Sequence, residues 1–387
     1  MRILNICTRI DRKSGGGSVA VLEVARMLQD AGAEVENWIV THPTDGDLLS
    51  TEDLYTRWFS ASCNSSRYRF SFELCTALLR EIASFDLLIV SGLYLFPNTF
   101  SGLMGRLCGI PYVLFPYDSY NPEKMRHSAR QKLLYRKLLD DSVLRGARLV
   151  HAANRPEYDQ ILAYGAENEI FLAPYGFRVR DFQVPRSKEL LRRFCPWDPS
   201  KQKIILYLAR VSKTKGVEVL ITAFRQLIAD DSSYRLLIVG PAWDAEYYED
   251  LVHQCRDLAK DGMLVFAGMV SDEEKYACFQ NAFIYVLPSF SENFGITLLE
   301  AVANRLVSVV TEAVPWEELE PAGAGYRVAV RNPDAIATAI RGYAALSPSE
   351  QAEMRDRAVA LAATYDRDAL ASTYFEAFSR VAIKINS

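Results

Sequence analysis

The chain has 387 residues, half of them hydrophobic and 24% charged, with a formal net charge of −4 at pH 7. That length predicts two domains with sizeable cores, and the weak negative charge argues against a nucleic-acid binder. No apolar run reaches the ~18 residues of a membrane span, and with strand-like sequence from Arg2 onward no secretory leader is expected.

Arg2 to Cys7 is an apolar run that predicts the first strand. A loop follows in which Gly15, Gly16 and Gly17 stand in succession, then a helix from Val19 to Gln29 that ends at Gly32. The amides of such a loop can surround a phosphate; a permissive strand-to-helix turn accounts for the glycines equally. A dinucleotide site, with Glu34 and Glu36 about 20 residues on, is a rival, but the run is not Gly-x-Gly-x-x-Gly.

Val35 to Val40 and Asp86 to Val90 predict two further strands. The second leads through Ser91-Gly92-Leu93-Tyr94 to a helix from Phe96 to Cys108. Pro111 to Phe115 is a strand that enters Pro116-Tyr117-Asp118-Ser119, where Asp118 suits a turn or a helix cap. From 124 to 148 basic residues outnumber acidic ones, and Leu133, Leu134, Leu138 and Leu139 recur at helical spacing. This predicts a basic amphipathic helix, its polar face either solvated or laid on anionic lipid. Ala147 to Ala152 reads as a strand, Arg155 to Tyr164 as a helix, and the pattern breaks down between Gly176 and Pro185, where the domains divide.

In the second half, Ile204 to Leu208 predicts a strand, Val217 to Ile228 a helix, and Ala209 to Gly216 the loop between them. Arg210 and Lys215 in that loop can neutralise a diphosphate, the arginine as a fork and the lysine as a point charge. Strands follow at Tyr234 to Val239, Leu264 to Val270, Phe283 to Leu287 and Leu306 to Val310. Helices are expected near 272–280, 295–304, 333–345, 349–363 and from Tyr365 to Val381. The alternation of strand and helix gives an α/β protein with parallel sheets. Seven cysteines without paired spacing read as reduced thiols of a cytoplasmic protein, and the four scattered histidines form no metal-ligand cluster.

The most informative stretch is Pro288-Ser289-Phe290-Ser291-Glu292-Asn293-Phe294-Gly295-Ile296-Thr297-Leu298-Leu299-Glu300-Ala301. It joins a buried strand to a helix, and in open α/β sheets the ligand crevice lies beyond the carboxyl ends of such strands. Phe294 to Thr297 open the helix, so their amides have no intrahelical partners and suit a phosphate or a sugar hydroxyl. Glu292 precedes that row of donors and Glu300 follows it about one turn in. Spacing alone is not distinctive, since Glu73 and Glu81 share it, as do Glu312 and Glu320.

The pattern Ser-x-x-Glu-x-Phe-Gly-x-x-x-Leu-Glu-Ala resembles the signature of retaining group 1 glycosyl transferases of the GT-B fold. That large family includes sucrose-phosphate synthase and phosphatidylinositol mannosyltransferase. Ala209-Arg210 to Lys215-Gly216 is similar to the family's Gly-Arg-x-x-x-x-Lys-Gly. The resemblance covers nearly the whole chain and is most specific over 204–301. It implies two Rossmann-like domains facing each other across a cleft: 1–178 for the acceptor, 179–364 for the nucleotide sugar, and 365–387 as a helix returning to the first. It further implies metal-independent transfer of a hexose, with no cofactor, from a nucleotide diphosphate sugar to a hydroxyl acceptor. A glycan or lipid-linked saccharide of cell-surface polysaccharide synthesis is the expected acceptor. Arg210 and Lys215 would hold the diphosphate, Glu292 the sugar and Glu300 the ribose hydroxyls. Gly16, Gly17, Gly240, Gly268, Met269, Asn293, Phe294, Gly295, Ile296 and Thr297 would line the donor site. Many relatives carry His-Gly where Tyr117-Asp118 stand, so Tyr94, Tyr117 and Asp118 are the acceptor-side candidates. The basic 124–148 helix would give a cytoplasmic enzyme a peripheral contact with the inner face of an anionic membrane.

Other readings remain open. A retaining glycosidase would need Glu292 and Glu300 roughly 5–5.5 Å apart, whereas residues eight apart around a helix start stand on the order of 10 Å apart. A catalytically silent GT-B domain that binds a sugar or a protein fits the missing His-Gly. A nucleotide-dependent oxidoreductase and a sugar-nucleotide epimerase share the general architecture.

Overall fold

A computed structural model describes residues 1–8, 10–11, 16–62, 68–122, 135, 139–185 and 187–382. The chain forms two units, Met1–Phe177 with the segment from Asp366 onward, and Arg178–Tyr365.

The first unit is built on a seven-stranded sheet in the order β3-β2-β1-β4-β5-β6-β7. Its strands are β1 (Arg2–Thr8), β2 (Glu34–Thr41), β3 (Tyr55–Ser60), β4 (Leu87–Ser91), β5 (Tyr112–Phe115), β6 (Leu149–Ala152) and β7 (Ile170–Leu172). Every pairing is parallel. The central strands are apolar on both faces because helices cover both sides, which is why they read as unbroken apolar runs. β4, β5 and β6 are buried at every residue.

The second unit has a six-stranded sheet in the order β10-β9-β8-β11-β12-β13. Its strands are β8 (Lys203–Leu208), β9 (Tyr234–Val239), β10 (Leu264–Gly268), β11 (Ile284–Leu287), β12 (Ser308–Thr311) and β13 (Gly325–Val328). All are again parallel. In each sheet the chain starts in the middle, runs to one edge, then returns and runs to the other. This is the doubly wound Rossmann order, and its switch points lie between β1 and β4 and between β8 and β11.

Helix starts follow the expected chemistry. Ser271 and Ser347 form capping boxes with Glu274 and Glu350, and Asn154, Asp244 and Asn332 cap their helices through side-chain oxygens. The helix at 333–345 runs as expected, over Pro333–Ala345.

Several boundaries differ from the sequence reading. The first helix starts at Gly16 rather than Val19, so Gly16 and Gly17 form its opening turn instead of a loop. That turn needs no intrahelical acceptors, so two glycines are tolerated there. Of the basic segment 124–148, the described residues form a short helix, Asp141–Gly146, that stops short of Arg148; Lys124, Arg126, Arg130, Lys132, Arg136 and Lys137 lie outside the described residues. The fifth strand of the second sheet starts at Ser308, two residues later than Leu306, whose amide instead closes the preceding helix on Ala301.

The last helix, Arg367–Val381, belongs to the first unit and packs on the helix Gly16–Asp30. Arg367 is buried there, with ion pairs to Glu23 at 3.3 Å and Asp30 at 2.8 Å. Tyr374 of the same helix lies 2.7 Å from Nε2 of His151 in β6, and the His151 ring stacks on Phe115 at 4.3 Å between centroids. Burial pushes the His151 pKa down from 6.5 to about 3. The folded protein keeps this ring neutral, while the unfolded chain takes up a proton near its ordinary pKa. As pH falls through 6.5 toward about 3, this residue should therefore cost about 1.4 kcal/mol of stability per pH unit. Urea midpoints measured between pH 7 and pH 5 should fall less steeply for His151→Gln than for the wild type. Equal slopes would contradict the assignment.

Candidate active site

In the second unit the loops that follow β8 and β11 emerge side by side, because those strands pair in register Ile205 with Ile284 and Leu206 with Tyr285. Backbone contacts hold the loops together. Gly216, at φ +65°, ends the first loop, and a Cβ there would stand 2.2 Å from the Pro288 carbonyl oxygen. The Phe290 amide donates to the Thr214 carbonyl at 2.8 Å. The Tyr207 hydroxyl donates to the carbonyl of Arg210 at 2.7 Å, and the Tyr285 hydroxyl lies 2.8 Å from Thr297 Oγ1 and 3.2 Å from the Leu208 carbonyl.

This closeness joins two of the expected site residues. The Lys215 ammonium is ion-paired with the Glu292 carboxylate, and their side chains are only 11% and 17% exposed. The other Glu292 oxygen accepts from the Asn293 amide at 3.3 Å. Gly295 then adopts the left-handed conformation at φ +84° and starts the helix Ile296–Ala303. A Cβ there would meet nothing nearer than 3.5 Å, so the backbone turn rather than space calls for glycine here. The amides of Gly295, Ile296 and Thr297 have no acceptor among the described residues. Together with the helix dipole they form a positive end directed at the loop.

The turn is rigid. The Trp316 indole donates to the Phe294 carbonyl at 2.7 Å, and the Thr311 hydroxyl bonds the Ser289 carbonyl. The Phe294 ring is buried against Trp316 and Tyr365, at 6.0 and 5.6 Å between centroids. Phe294 thus packs its ring into the core rather than presenting it to a ligand. Asn293 and Ile296 are half-buried beside it.

Arg210 is half-buried, with its guanidinium 4.4 Å above the Trp243 ring, a cation–π contact. Trp243 follows β9, and its amide donates to the Val211 carbonyl at 3.1 Å. Gly240 makes this approach possible: its φ is +136°, and a Cβ there would lie 2.0 Å from the Ala209 carbonyl oxygen. Its own amide donates to the Gly268 carbonyl at 2.8 Å. Met269, next in the chain, is 65% exposed at the end of β10.

Glu300 is not a bare carboxylate. Its Oε1 lies 2.6 Å from the Lys275 ammonium and 3.4 Å from the Tyr276 hydroxyl. Burial works against the charge of Lys275, but Glu300, Tyr276 and Asp272 around it outweigh burial and raise its pKa above the ordinary lysine value. Lys275 and Trp243 escaped the sequence reading. The available signals were a lysine on a half-buried helix face and a tryptophan at the end of a parallel strand.

In the first unit, Gly16 and Gly17 lie exposed in the opening turn of the helix Gly16–Asp30. Tyr94, after β4, has φ +65°, and its amide donates to Asp140 at 3.3 Å. After β5, Tyr117 and Asp118 both have positive φ, 49° and 60°, a conformation that costs about 1–2 kcal/mol per L-residue. The buried carboxylate of Glu157 holds them: it accepts from the Asp118 amide at 2.6 Å and the Ala153 amide at 2.9 Å. Asp118 is 4% exposed, and its carboxylate accepts from Asn121 at 3.3 Å. The Tyr117 ring stacks on Phe115 and Tyr175, and burial pushes its hydroxyl pKa well up. Glu157 was missed because it reads as an ordinary acidic residue in a first helical turn.

Among the described residues no group of His, Cys, Asp and Glu is arranged to hold a metal ion, and no helix is long and apolar enough to cross a membrane.

Two family models match, in chain order: the glycosyl transferase 4-like domain over residues 15–176 and glycosyl transferases group 1 over residues 195–360. An alpha-monoglucosyldiacylglycerol synthase of Streptococcus pneumoniae is 26% identical over 151 residues, 38% of this chain and 33% of the synthase; that match thus spans about a third of the relative. A D-inositol 3-phosphate glycosyltransferase 2 of Catenulispora acidiphila is 24% identical over 401 aligned positions, 95% of this chain and 90% of the relative. The crystal structure of Anabaena HepE in complex with UDP and glucose is 18% identical, covers 98% of both chains and superposes with a TM-score of 0.75. With two Rossmann-type sheets, each under its own family match, the chain belongs to the GT-B glycosyl transferases, its second unit being a group 1 glycosyl transferase domain.

Proposed function

We propose that the chain is a retaining glycosyltransferase that moves a hexose from a nucleotide diphosphate sugar to a hydroxyl acceptor. The observation that carries the reading is the junction of the β8 and β11 loops. It sets the Lys215–Glu292 pair beside a helix end with open amides at the switch point of the sheet. A diphosphate is the ligand that such an arrangement of cation and amides suits. The UDP and glucose held by the structurally similar Anabaena HepE support the choice of donor class.

In this mechanism Arg210 and Lys215 bind the diphosphate and stabilise the charge that grows on it as the sugar leaves. The amides of Gly295, Ile296 and Thr297 add to that stabilisation. Glu292 receives the sugar hydroxyls and Glu300 the ribose hydroxyls. The backbone at Gly240, Gly268 and Met269 faces the base. The acceptor hydroxyl attacks from the face the phosphate leaves, and a departing phosphate oxygen takes its proton. Side-chain cations and the helix end supply the countercharge, so the reaction runs without a metal or cofactor.

Tyr94, Tyr117 and Asp118 are the acceptor-side candidates. The acceptor is a glycan or lipid-linked saccharide of cell-surface polysaccharide synthesis; the glucosylated diacylglycerol that the streptococcal relative is named for making supports a lipid-borne acceptor. The enzyme works in the cytoplasm, with the basic 124–148 segment against the inner face of an anionic membrane. A catalytically silent, sugar-binding domain is the alternative, favoured by the buried Asp118 where relatives carry a histidine motif.

A thermal-shift screen against UDP-, GDP- and ADP-sugars tests the donor, since a ligand of the native state raises its apparent stability. One series should stabilise the protein and support transfer with retained anomeric configuration by NMR. An inverted product would contradict retention. Stabilisation without transfer to any saccharide acceptor would favour the silent domain.

A further inference from the structure

We propose that Lys275 is a positioning residue of the donor site, fixing the carboxylate of Glu300 for the nucleotide ribose. The inference rests on the reading of Glu300 as the ribose acceptor and names what makes it one.

Glu300 lies in the second turn of the helix Ile296–Ala303 and is 5% exposed. A carboxylate so buried stays ionised and aimed only if a partner compensates its lost hydration. The partner comes from a separate element, the helix Asp272–Asn281. Its Lys275 ammonium stands 2.6 Å from Oε1 of Glu300, with side chains 19% and 7% exposed. Two further contacts fix the ammonium, and a capping box fixes the helix that carries it. Asp272 lies 3.4 Å away one turn back, the Tyr276 ring centroid lies 4.7 Å away, and the capping box at Ser271 and Glu274 anchors the start of the helix. The Tyr276 ring is stacked on Phe182 in turn. Lys275 engages Oε1, and the carboxylate keeps its second oxygen for ribose hydroxyls. A hydrogen bond to a charged carboxylate is stronger than one to a neutral acid, so Lys275 acts through Glu300 without touching the ligand.

The test is calorimetric binding of UDP, GDP and ADP and of their 2′,3′-dideoxy counterparts to the full chain. The wild type should prefer one ribonucleotide over its dideoxy form by about ten- to a hundredfold. Glu300→Gln and Lys275→Met should each shrink that ratio to about threefold or less. Both should retain the affinity for the dideoxy ligand, which a general loss of structure would not spare. Lys275→Arg, which keeps the charge, should restore part of the preference. Loss of the preference in Glu300→Gln with full retention in Lys275→Met overturns the inference and leaves the reading of Glu300 intact. Retention in both variants, or no preference in the wild type, overturns that reading and the inference with it. Lys275→Gln, which keeps a donor amide but no charge, serves the same comparison if Lys275→Met does not fold.

Discussion

Replacing Lys215 with alanine should lower glycosyl transfer at least about a hundredfold, the usual loss when a preorganised stabiliser of developing charge is removed. Lys215 closes the turn after β8, and its ammonium is held against Glu292 rather than free in solvent. Its place is therefore set before a donor arrives, so little reorganisation accompanies binding. The charge on the leaving diphosphate is larger in the transition state than in the bound sugar nucleotide. The loss should accordingly fall on kcat as well as on kcat/KM. The substitution also strips a largely buried Glu292 of its cation, at a stability cost of about 1–3 kcal/mol. Circular dichroism and a melting curve separate that cost from the catalytic one. Near-normal turnover by a folded Lys215→Ala protein would remove Lys215 from the mechanism.

The largest structural effect is expected at Gly240. An alanine there would set its Cβ 2.0 Å from the Ala209 carbonyl oxygen and 2.7 Å from the carbonyl carbon, with φ at +136°. Both atoms are backbone, so no side chain can rotate aside. The loop after β9 must move away from the segment that carries Arg210. That movement breaks the bonds from the Val211 amide to the Pro241 carbonyl, 2.9 Å, and from the Trp243 amide to the Val211 carbonyl, 3.1 Å. It also lifts the Trp243 ring from beneath the Arg210 guanidinium. Gly240→Ala should destabilise the protein by about 3 kcal/mol or more, a fall in Tm of roughly 6–12 °C for a unit of this size, and should weaken nucleotide binding as well. Gly295→Ala is the matched comparison. Its φ is +84°, but the nearest atom to a new Cβ is 3.5 Å away, so only the conformational cost of about 1–2 kcal/mol applies. Equal melting temperatures for the two variants would contradict the close-approach account of Gly240.

What could be read in the sequence follows from how each element is stabilised. β1, β4, β8, β9 and β11 are buried on both faces, so each announced itself as an apolar run. β3 did not: it lies at the edge of its sheet with Tyr55 and Trp58 exposed, and its composition carries no clear period. β13 begins at Gly325, four residues long, and neither length nor composition marks it. The helices Phe72–Glu81 and Ala245–Gln254 also went unread, the second being rich in tyrosine and acidic residues. At the site, Glu292, Gly295 and Glu300 were legible because a local turn fixes their spacing. The pairings of these groups were not. Lys215 meets Glu292, Lys275 meets Glu300, Trp243 meets Arg210 and Glu157 meets Asp118 across gaps of 25 to 77 residues. Such pairs exist only once the sheet has brought its loops together.

The most direct measurement is a crystal structure of the protein soaked with the nucleoside diphosphate that raises its melting temperature. The diphosphate should lie beyond the carboxyl ends of β8 and β11, touching Arg210, Lys215 and the amides of Gly295 to Thr297. A diphosphate bound at any other place, with those five groups left untouched, would contradict the account.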